Sequence, residues 1–291
     1  MLHETVDGLD VKEDGVYVDV TFGGGGHSKE ILSRLGPKGK LYGFDQDEDA
    51  QENALDDERF VLIHQNFRHI KRFLKFYGVQ KVDGILGDFG VSSHQFDVPE
   101  RGFSTRFDAD LDMRMSQKSV LSAYDVVNTY DHGDLKRIFG LYGELKNAST
   151  VAATIIDGRA EQPIKTTEDL KNTLRRLLPA HKENKILAQL YQAIRIEVNQ
   201  EVAVLREFLM QTPDIMEKGG RLSLISYHSL EDRLVKRFIR SGKFEGEVEK
   251  DFYGNPQVPF KKVSGLITPS KEEIGLNSRA RSAKLRIAEK L

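Results

Sequence analysis

Along the first ninety positions, apolar residues recur at two spacings, and the two alternate. Residues 16–22 form a short β-branched run closed by four glycines, Gly23 to Gly26. Residues 27–35 then place Ile31, Leu32 and Leu35 at helical spacing and stop at Gly36-Pro37. Residues 40–45 read as a second strand, followed by a polar helix over 48–55. A third strand is predicted over 60–63, an amphipathic helix over 70–76 ended by Gly78, and a fourth strand over 82–89. Strands and helices in this rhythm predict a parallel-rich sheet with helices on both faces, an α/β Rossmann-like architecture.

The rhythm then stops. From about residue 104 to 199 no buried strand is apparent, and the periodicity is helical over 134–141, 151–159 and 168–178. Thr166-Thr167-Glu168-Asp169 before Leu170 has the form of a helix start, a hydroxyl to cap free amides and acids facing the helix dipole. A helix over 201–216 and Gly219-Gly220 precede a returning strand over 221–227. The expected organisation is therefore a sheet-bearing domain built from residues 1–103 and 200–291, with an all-helical domain, 104–199, inserted in it. Residues 241–276 look rich in loops, and 284–288 predict a last strand.

Composition narrows the class. The chain has 291 residues, with 39% hydrophobic and 30% charged, as in an ordinary globular protein. There is no apolar run of about 18 residues to cross a membrane. The first ten residues lack the basic start and apolar centre of a signal peptide. The absence of cysteine excludes disulfides, zinc–thiolate sites and thiol nucleophiles, and fits a cytoplasmic protein. The formal charge of −2 argues against indiscriminate nucleic-acid binding, whose affinity comes from displaced counterions. Its distribution is uneven: residues 45–58 carry eight acids and no base, whereas 261–291 carry eight Lys or Arg against three Glu. That leaves room for a basic face, or for a merely solvated tail.

The glycine run lies between the first strand and its helix, where a ligand can approach the backbone without meeting a Cβ. Asp45, ending the second strand, suits hydrogen bonds from ribose hydroxyls. Nicotinamide enzymes and S-adenosylmethionine-dependent methyltransferases share both features. Asp19, just before the glycines, is placed to meet a cationic amino group in the second class.

Four longer stretches go further. They are Val18-Asp19-Val20-Thr21-Phe22-Gly23-Gly24-Gly25-Gly26-His27-Ser28; Asp83-Gly84-Ile85-Leu86-Gly87-Asp88-Phe89-Gly90-Val91-Ser92-Ser93, running on through Gln95 to Arg101-Gly102-Phe103-Ser104 and Leu111-Asp112-Met113-Arg114-Met115; Gly219-Gly220-Arg221-Leu222 with Ile225-Ser226-Tyr227-His228-Ser229-Leu230-Glu231-Asp232-Arg233; and Asn277-Ser278-Arg279-Ala280-Arg281-Ser282-Ala283-Lys284-Leu285-Arg286. With these in order over nearly the whole chain, the sequence resembles the bacterial small-subunit ribosomal RNA (cytosine-N4) methyltransferase family.

The resemblance implies a class I methyltransferase core with a helical insertion. It also implies methyl transfer from S-adenosylmethionine to the exocyclic N4 amine of a cytidine in the decoding region of 16S ribosomal RNA. The partner is that RNA or the assembled small ribosomal subunit. Cofactor contacts fall on Gly25, Gly26, His27, Asp45, Phe67, Asp88 and Gln95. Two departures stand out. The family's Pro-Ala-Thr-Arg is here Ile186-Leu187-Ala188-Gln189, and the lead-in His-x-Pro-Val-Leu-Leu is missing upstream, which suggests a truncated start.

Methylating an amine needs mainly alignment of nitrogen, methyl and sulfur. The cytosine amine is a weak nucleophile, and an acceptor would help localise its lone pair. Asp88, ending the fourth strand, is the catalytic candidate, either orienting the amine or only holding cofactor. His228, after the returning strand, is placed to touch base or phosphate, or to serve the fold. Arg101, Arg279 and Arg281 are candidates for RNA contact, with Arg106, Arg114, Lys284 and Arg286 beside them. No His, Cys and carboxylate cluster has metal-ligand spacing, so no metal is expected. A nicotinamide oxidoreductase would need a proton relay that is not identifiable. An RNA-binding protein without catalysis remains distinguishable by methyl transfer, and a DNA cytosine-N4 enzyme would carry Pro-Pro where Asp88 is followed by Phe89-Gly90.

Overall fold

The computed structural model describes residues 1–291. Strands β1 (Val16–Asp19), β2 (Lys40–Asp45), β3 (Phe60–His64), β4 (Val82–Asp88), β5 (Met216–Ser226), β6 (Phe260–Lys262) and β7 (Lys284–Lys290) form one sheet in the order β3-β2-β1-β4-β5-β7-β6. The first five are parallel neighbours, and β7 runs antiparallel to β5 and β6. The fold is thus the expected parallel-rich, Rossmann-like α/β sheet.

Alternate residues of each strand point to opposite faces, so a strand buried on both sides must be apolar at nearly every position. Val18, Phe44, Ile63, Ile85, Leu222 and Leu224 pack on one face against α3 (Ile70–Phe76), α10 (Glu201–Ile215) and α11 (Ser229–Ser241). On the other face Tyr17, Leu41, Phe60 and Leu86 pack against α1 (Leu2–Asp7) and α2 (Gly26–Arg34). Both faces are covered, which is the condition a parallel sheet requires.

The chain divides into two compact units, Met1–Gly90 with Val202–Leu291, and Val91–Glu201. The second therefore starts before the expected residue 104. It holds α4 (Ser93–Asp97), α5 (Ala123–Thr129), α6 (His132–Leu141), α7 (Ala148–Glu161), α8 (Thr167–Leu174) and α9 (Glu183–Val198), and no strand. Its own core joins Val126, Ile138, Phe139, Ile155, Leu170, Leu190 and Ile194. The Thr166 hydroxyl accepts the Asp169 amide and the Asp169 carboxylate accepts the Thr166 amide, a capping box that contributes on the order of 1 kcal/mol. Gln189, in the segment that departs from the family pattern, donates to the Gly143 carbonyl at 2.8 Å and so joins α9 to the end of α6.

Several boundaries differ from expectation. Residues 48–53 form a 3₁₀ segment rather than an α-helix, as suits a stretch crowded with like charges. Strand β5 begins at Met216, because Gly219-Gly220 does not end it but forms a bulge. Gly219 takes φ +82°, the pairing register shifts between Val82 and Gly84, and a Cβ on Gly220 would lie 2.8 Å from the Asp83 carbonyl oxygen. Within the expected loop region lie β6 and a short helix, α12 (Lys271–Leu276).

Candidate active site

Beyond Asp19 the β1 backbone stays bonded to its neighbours, Val20 N–H to the Leu86 carbonyl and Phe22 N–H to that of Phe44, both at 2.9 Å. The chain then reverses: the Gly25 amide reaches the Phe22 carbonyl at 2.8 Å, with Gly23 at φ +50° and Gly25 at φ +74°. Those angles favour glycine. Above Gly24 and Gly26 a Cβ would meet nothing within 4 Å, so both face open space. Gly25 caps α2 without a side-chain hydrogen bond, leaving the first amides of the helix to a ligand or to solvent.

Three carboxylates end three adjacent strands, Asp45 on β2, Asp19 on β1 and Asp88 on β4. Asp45 accepts the Gly23 amide at 2.8 Å and the Asp47 amide at 2.9 Å, and burial pushes its pKa up to about 6. A carboxylate has roughly four acceptor positions, so it keeps capacity for hydroxyl donors. Asp19 is fully buried, and its oxygens take the Ser28 hydroxyl at 2.8 Å and the Thr21 amide at 3.1 Å. Burial raises it too to about 6. Its expected contact with a ligand amine is corrected: Asp19 pins the loop to α2 from beneath and does not open on the site.

The Asp88 amide donates to the Thr21 hydroxyl at 2.7 Å, which ties the end of β4 to the loop after β1. Burial raises the Asp88 carboxyl, while the nearby His27 ring and the Tyr227 hydroxyl favour its charge. His27 Nδ1 stands 4.0 Å from Asp88 Oδ2, and burial lowers the His27 pKa. Tyr227 enters because β5 lies beside β4, with Ile225 opposite Asp88. Burial and the Asp88 charge push its phenol far above the ordinary value, so it remains a donor. Sequence spacing gave no sign of this residue.

Phe67 stands in an aromatic cluster with Phe208 and Phe89, at 5.3 and 5.9 Å between ring centroids. His228 caps α11. Its Nε2 lies 3.1 Å from Glu231 Oε1, and the other Glu231 oxygen accepts the Tyr227 amide at 3.0 Å. Glu231, also missed in the sequence, is buried and fixes the turn that carries Tyr227 and His228.

Gln95 lies in the helical unit, buried, where it closes a capping box with Ser92 at the start of α4. Arg101 is buried in the same unit and donates to the carbonyls of Arg114 and Met115, both at 3.0 Å. Its expected contact with RNA is corrected to a brace for the loop below it. Arg114 is likewise held by Asp112, at 2.7 and 2.9 Å, and by the Gln117 and Ser119 carbonyls, whereas Arg106 is exposed. In the sheet unit, Arg279 and Arg281 are exposed on the 3₁₀ segment Ser278–Ser282. Arg286 pairs with Asp232 through two hydrogen bonds, and Lys284 approaches the same carboxylate at 3.6 Å.

The residues at the strand ends fit S-adenosylmethionine. His27 Nε2 and Asp88 Oδ1 are buried polar atoms without a hydrogen-bond partner, a costly state that a polar ligand relieves. The desolvated carboxylates of Asp45 and Asp88 favour a ligand carrying positive charge, and this cofactor carries a sulfonium and an ammonium.

Comparison with known proteins agrees with this chemistry. The MraW methylase family model matches residues 1–291. The ribosomal RNA small subunit methyltransferase H of Flavobacterium johnsoniae is 69% identical over 291 residues, covering 100% of this chain and 96% of its own. The protein of that name from Christiangramia forsetii is 70% identical over 291 residues, with the same coverage. That of Flavobacterium psychrophilum is 69% identical over 290 residues, covering 100% of both chains.

Proposed function

The chain belongs to the MraW methylase family, and on that premise we propose that it methylates the exocyclic N4 amine of a cytidine in the decoding region of 16S ribosomal RNA. At the coarser level it is an S-adenosylmethionine-dependent methyltransferase of small-subunit ribosomal RNA. The observation that carries the finer reading is the Asp88 carboxylate. It is half-buried at a strand end beside the glycine loop, with its Oδ1 atom buried and unpartnered.

S-adenosylmethionine supplies a methyl group on a cationic sulfur, already a strong electrophile. The protein's task is alignment and charge. Gly25 and Gly26 admit the cofactor to the α2 N-terminus, and Asp45 accepts its ribose hydroxyls. Phe67 offers an apolar wall to the adenine, while His27 supplies a further polar contact. Asp88 accepts a hydrogen bond from the target amine and so turns the nitrogen lone pair toward the methyl group. Transfer would break the methyl's bond to sulfur, leaving a neutral thioether, as the carbon–nitrogen bond forms, and Asp88 would receive the proton that the amine gives up. The Tyr227 hydroxyl favours the charged form of the Asp88 carboxylate against the effect of burial.

Before any of this, the cytidine must leave its stack to bring its amine to the strand ends. His228 meets the base or an adjacent phosphate, and Arg279 and Arg281 hold the backbone. The helical unit is a natural docking surface for the RNA, and the cytoplasm is the compartment where this substrate is met. The test is to incubate the protein with labelled S-adenosylmethionine and small subunits lacking the modification, then identify the labelled nucleoside. N4-methylcytidine is expected. Label on another nucleoside would refute the N4 reading, and no label with the cofactor bound would refute transfer to this substrate.

A further inference from the structure

Helix α11 starts at the turn that carries Tyr227 and His228, and it has two unlike faces. Leu234, Val235, Phe238 and Ile239 are buried. Arg233, Lys236 and Arg240 are exposed, and none makes an ion pair with a carboxylate. At spacings of three and four residues they form a single stripe, spanning roughly 10 Å. Asp232, the acid next to the stripe, is already neutralised by Arg286 and Lys284.

The segment after α11 adds a second feature. Asp251 Oδ1 accepts the amides of Tyr253 and Asn255 at 2.9 and 2.8 Å, and the strand-like pairing of Lys250 with Pro256 closes a hairpin. Its tip presents Phe252, 97% exposed, and Tyr253, 86% exposed, with ring centroids 5.6 Å apart and planes at 87°. Arg237 of α11 donates to the Gly246 carbonyl at 3.0 Å, which ties the segment to the helix. Two of its three glutamates are paired, Glu245 with Arg206 and Glu249 with Lys243. Two large rings held out by a braced turn do nothing for the core, whereas an aromatic face is what an unstacked base seeks.

We propose that the α11 stripe Arg233, Lys236 and Arg240, together with the Phe252–Tyr253 tip, is a docking surface for a single-stranded segment of the RNA substrate. The three cations take successive phosphates, and the two rings stack on bases. Because α11 begins at the edge that holds Asp88 and Tyr227, the stripe leads an RNA strand away from the methylated base. The inference rests on the reading of the protein as a ribosomal RNA methyltransferase. It places contacts where the basic C-terminal segment does not.

The test uses two variants, Arg233→Gln/Lys236→Gln/Arg240→Gln and Phe252→Ala/Tyr253→Ala, with protein-free small-subunit ribosomal RNA and assembled small subunits as separate probes. S-adenosylmethionine affinity serves as the check on folding and is expected to match that of the unaltered protein. The ring variant is expected to weaken RNA binding by roughly thirty-fold or more, for two stacked bases. The charge variant is expected to flatten the dependence of log affinity on log salt by roughly 2, for three phosphates on a single strand. Unchanged RNA affinity and salt slope in both variants would overturn the proposal. So would loss of binding to assembled subunits alone, which would assign the surface to a ribosomal protein. Both readouts are binding measurements on the intact chain. A failure to methylate RNA would therefore count against the proposed function and leave the docking result to stand or fall by itself.

Discussion

Asp45 Oδ2 accepts the Gly23 amide at 2.8 Å, so the residue that ends β2 also fixes the loop that ends β1. The carboxylate assigned to the cofactor ribose thus shapes the loop assigned to the rest of the cofactor. Asp45→Ala is expected to lose more affinity than two hydroxyl contacts account for, at least about 2–3 kcal/mol, or roughly a hundredfold in Kd. Calorimetric titration of S-adenosylmethionine checks this, and a loss below tenfold would separate the loop from the carboxylate.

Asp19 and Asp45 predict an inverted pH dependence of stability in the ligand-free protein. Each has a native pKa of about 6, above the ordinary 3.8, because burial penalises the charge. The native state then holds protons that the unfolded chain has already released. Stability is therefore fullest below about pH 4 with respect to these two groups and declines as pH rises to about 6, by up to about 3 kcal/mol for each carboxylate. The measurement is the midpoint of urea unfolding at pH 4.5, 5.5 and 6.5 in Asp19→Asn and Asp45→Asn beside the unaltered chain. The decline should shrink in both variants. Cofactor affinity should run the other way through Asp45, strengthening toward pH 6 and levelling above it, since only the ionised carboxylate favours a cation.

For Asp88 the split between binding and turnover is diagnostic. Asp88→Asn keeps the shape but not the charge, and kcat is expected to fall by about a hundredfold or more, with cofactor Kd within a few-fold. Normal turnover with normal affinity would remove Asp88 from both roles.

Three arginines of the motif stretches should behave in two different ways. Arg101→Ala leaves two carbonyls of the helical unit without their donor. It is expected to destabilise that unit by about 2–3 kcal/mol, visible as a lowered Tm. Arg279→Gln/Arg281→Gln removes exposed charge, should leave Tm within about a degree, and should raise KM for RNA. Equal Tm losses in the two variants would contradict the buried and exposed placements.

How much of this was legible before the structure depends on the range of the forces involved. Residues 40–45 and 70–76 match the elements to the residue, because a continuous apolar run and a one-sided helical spacing are both local signals. The glycine run announced the loop, since four glycines between a strand and a helix have few other uses. Strand β6 escaped, being three residues long with only Phe260 buried. Tyr227 escaped because its partner Asp88 is distant in sequence and meets it only through the pairing of β4 with β5. The inward direction of Asp19 and Arg101 escaped for another reason: a sequence displays a charge without showing which way it faces.

The strand order carries a consequence for synthesis. On a ribosome, β4 emerges with β1 already formed on one side, but its other neighbour, β5, follows only after the whole helical unit. At about 5–20 residues per second, roughly ten seconds separate the two. Through that interval the edge of Val82–Asp88, almost all of it buried in the finished sheet, has no strand to pair with. The helical unit, built from local contacts, can fold within the same interval. The Asp88 site is therefore assembled late, when β5 docks and brings Tyr227 beside it.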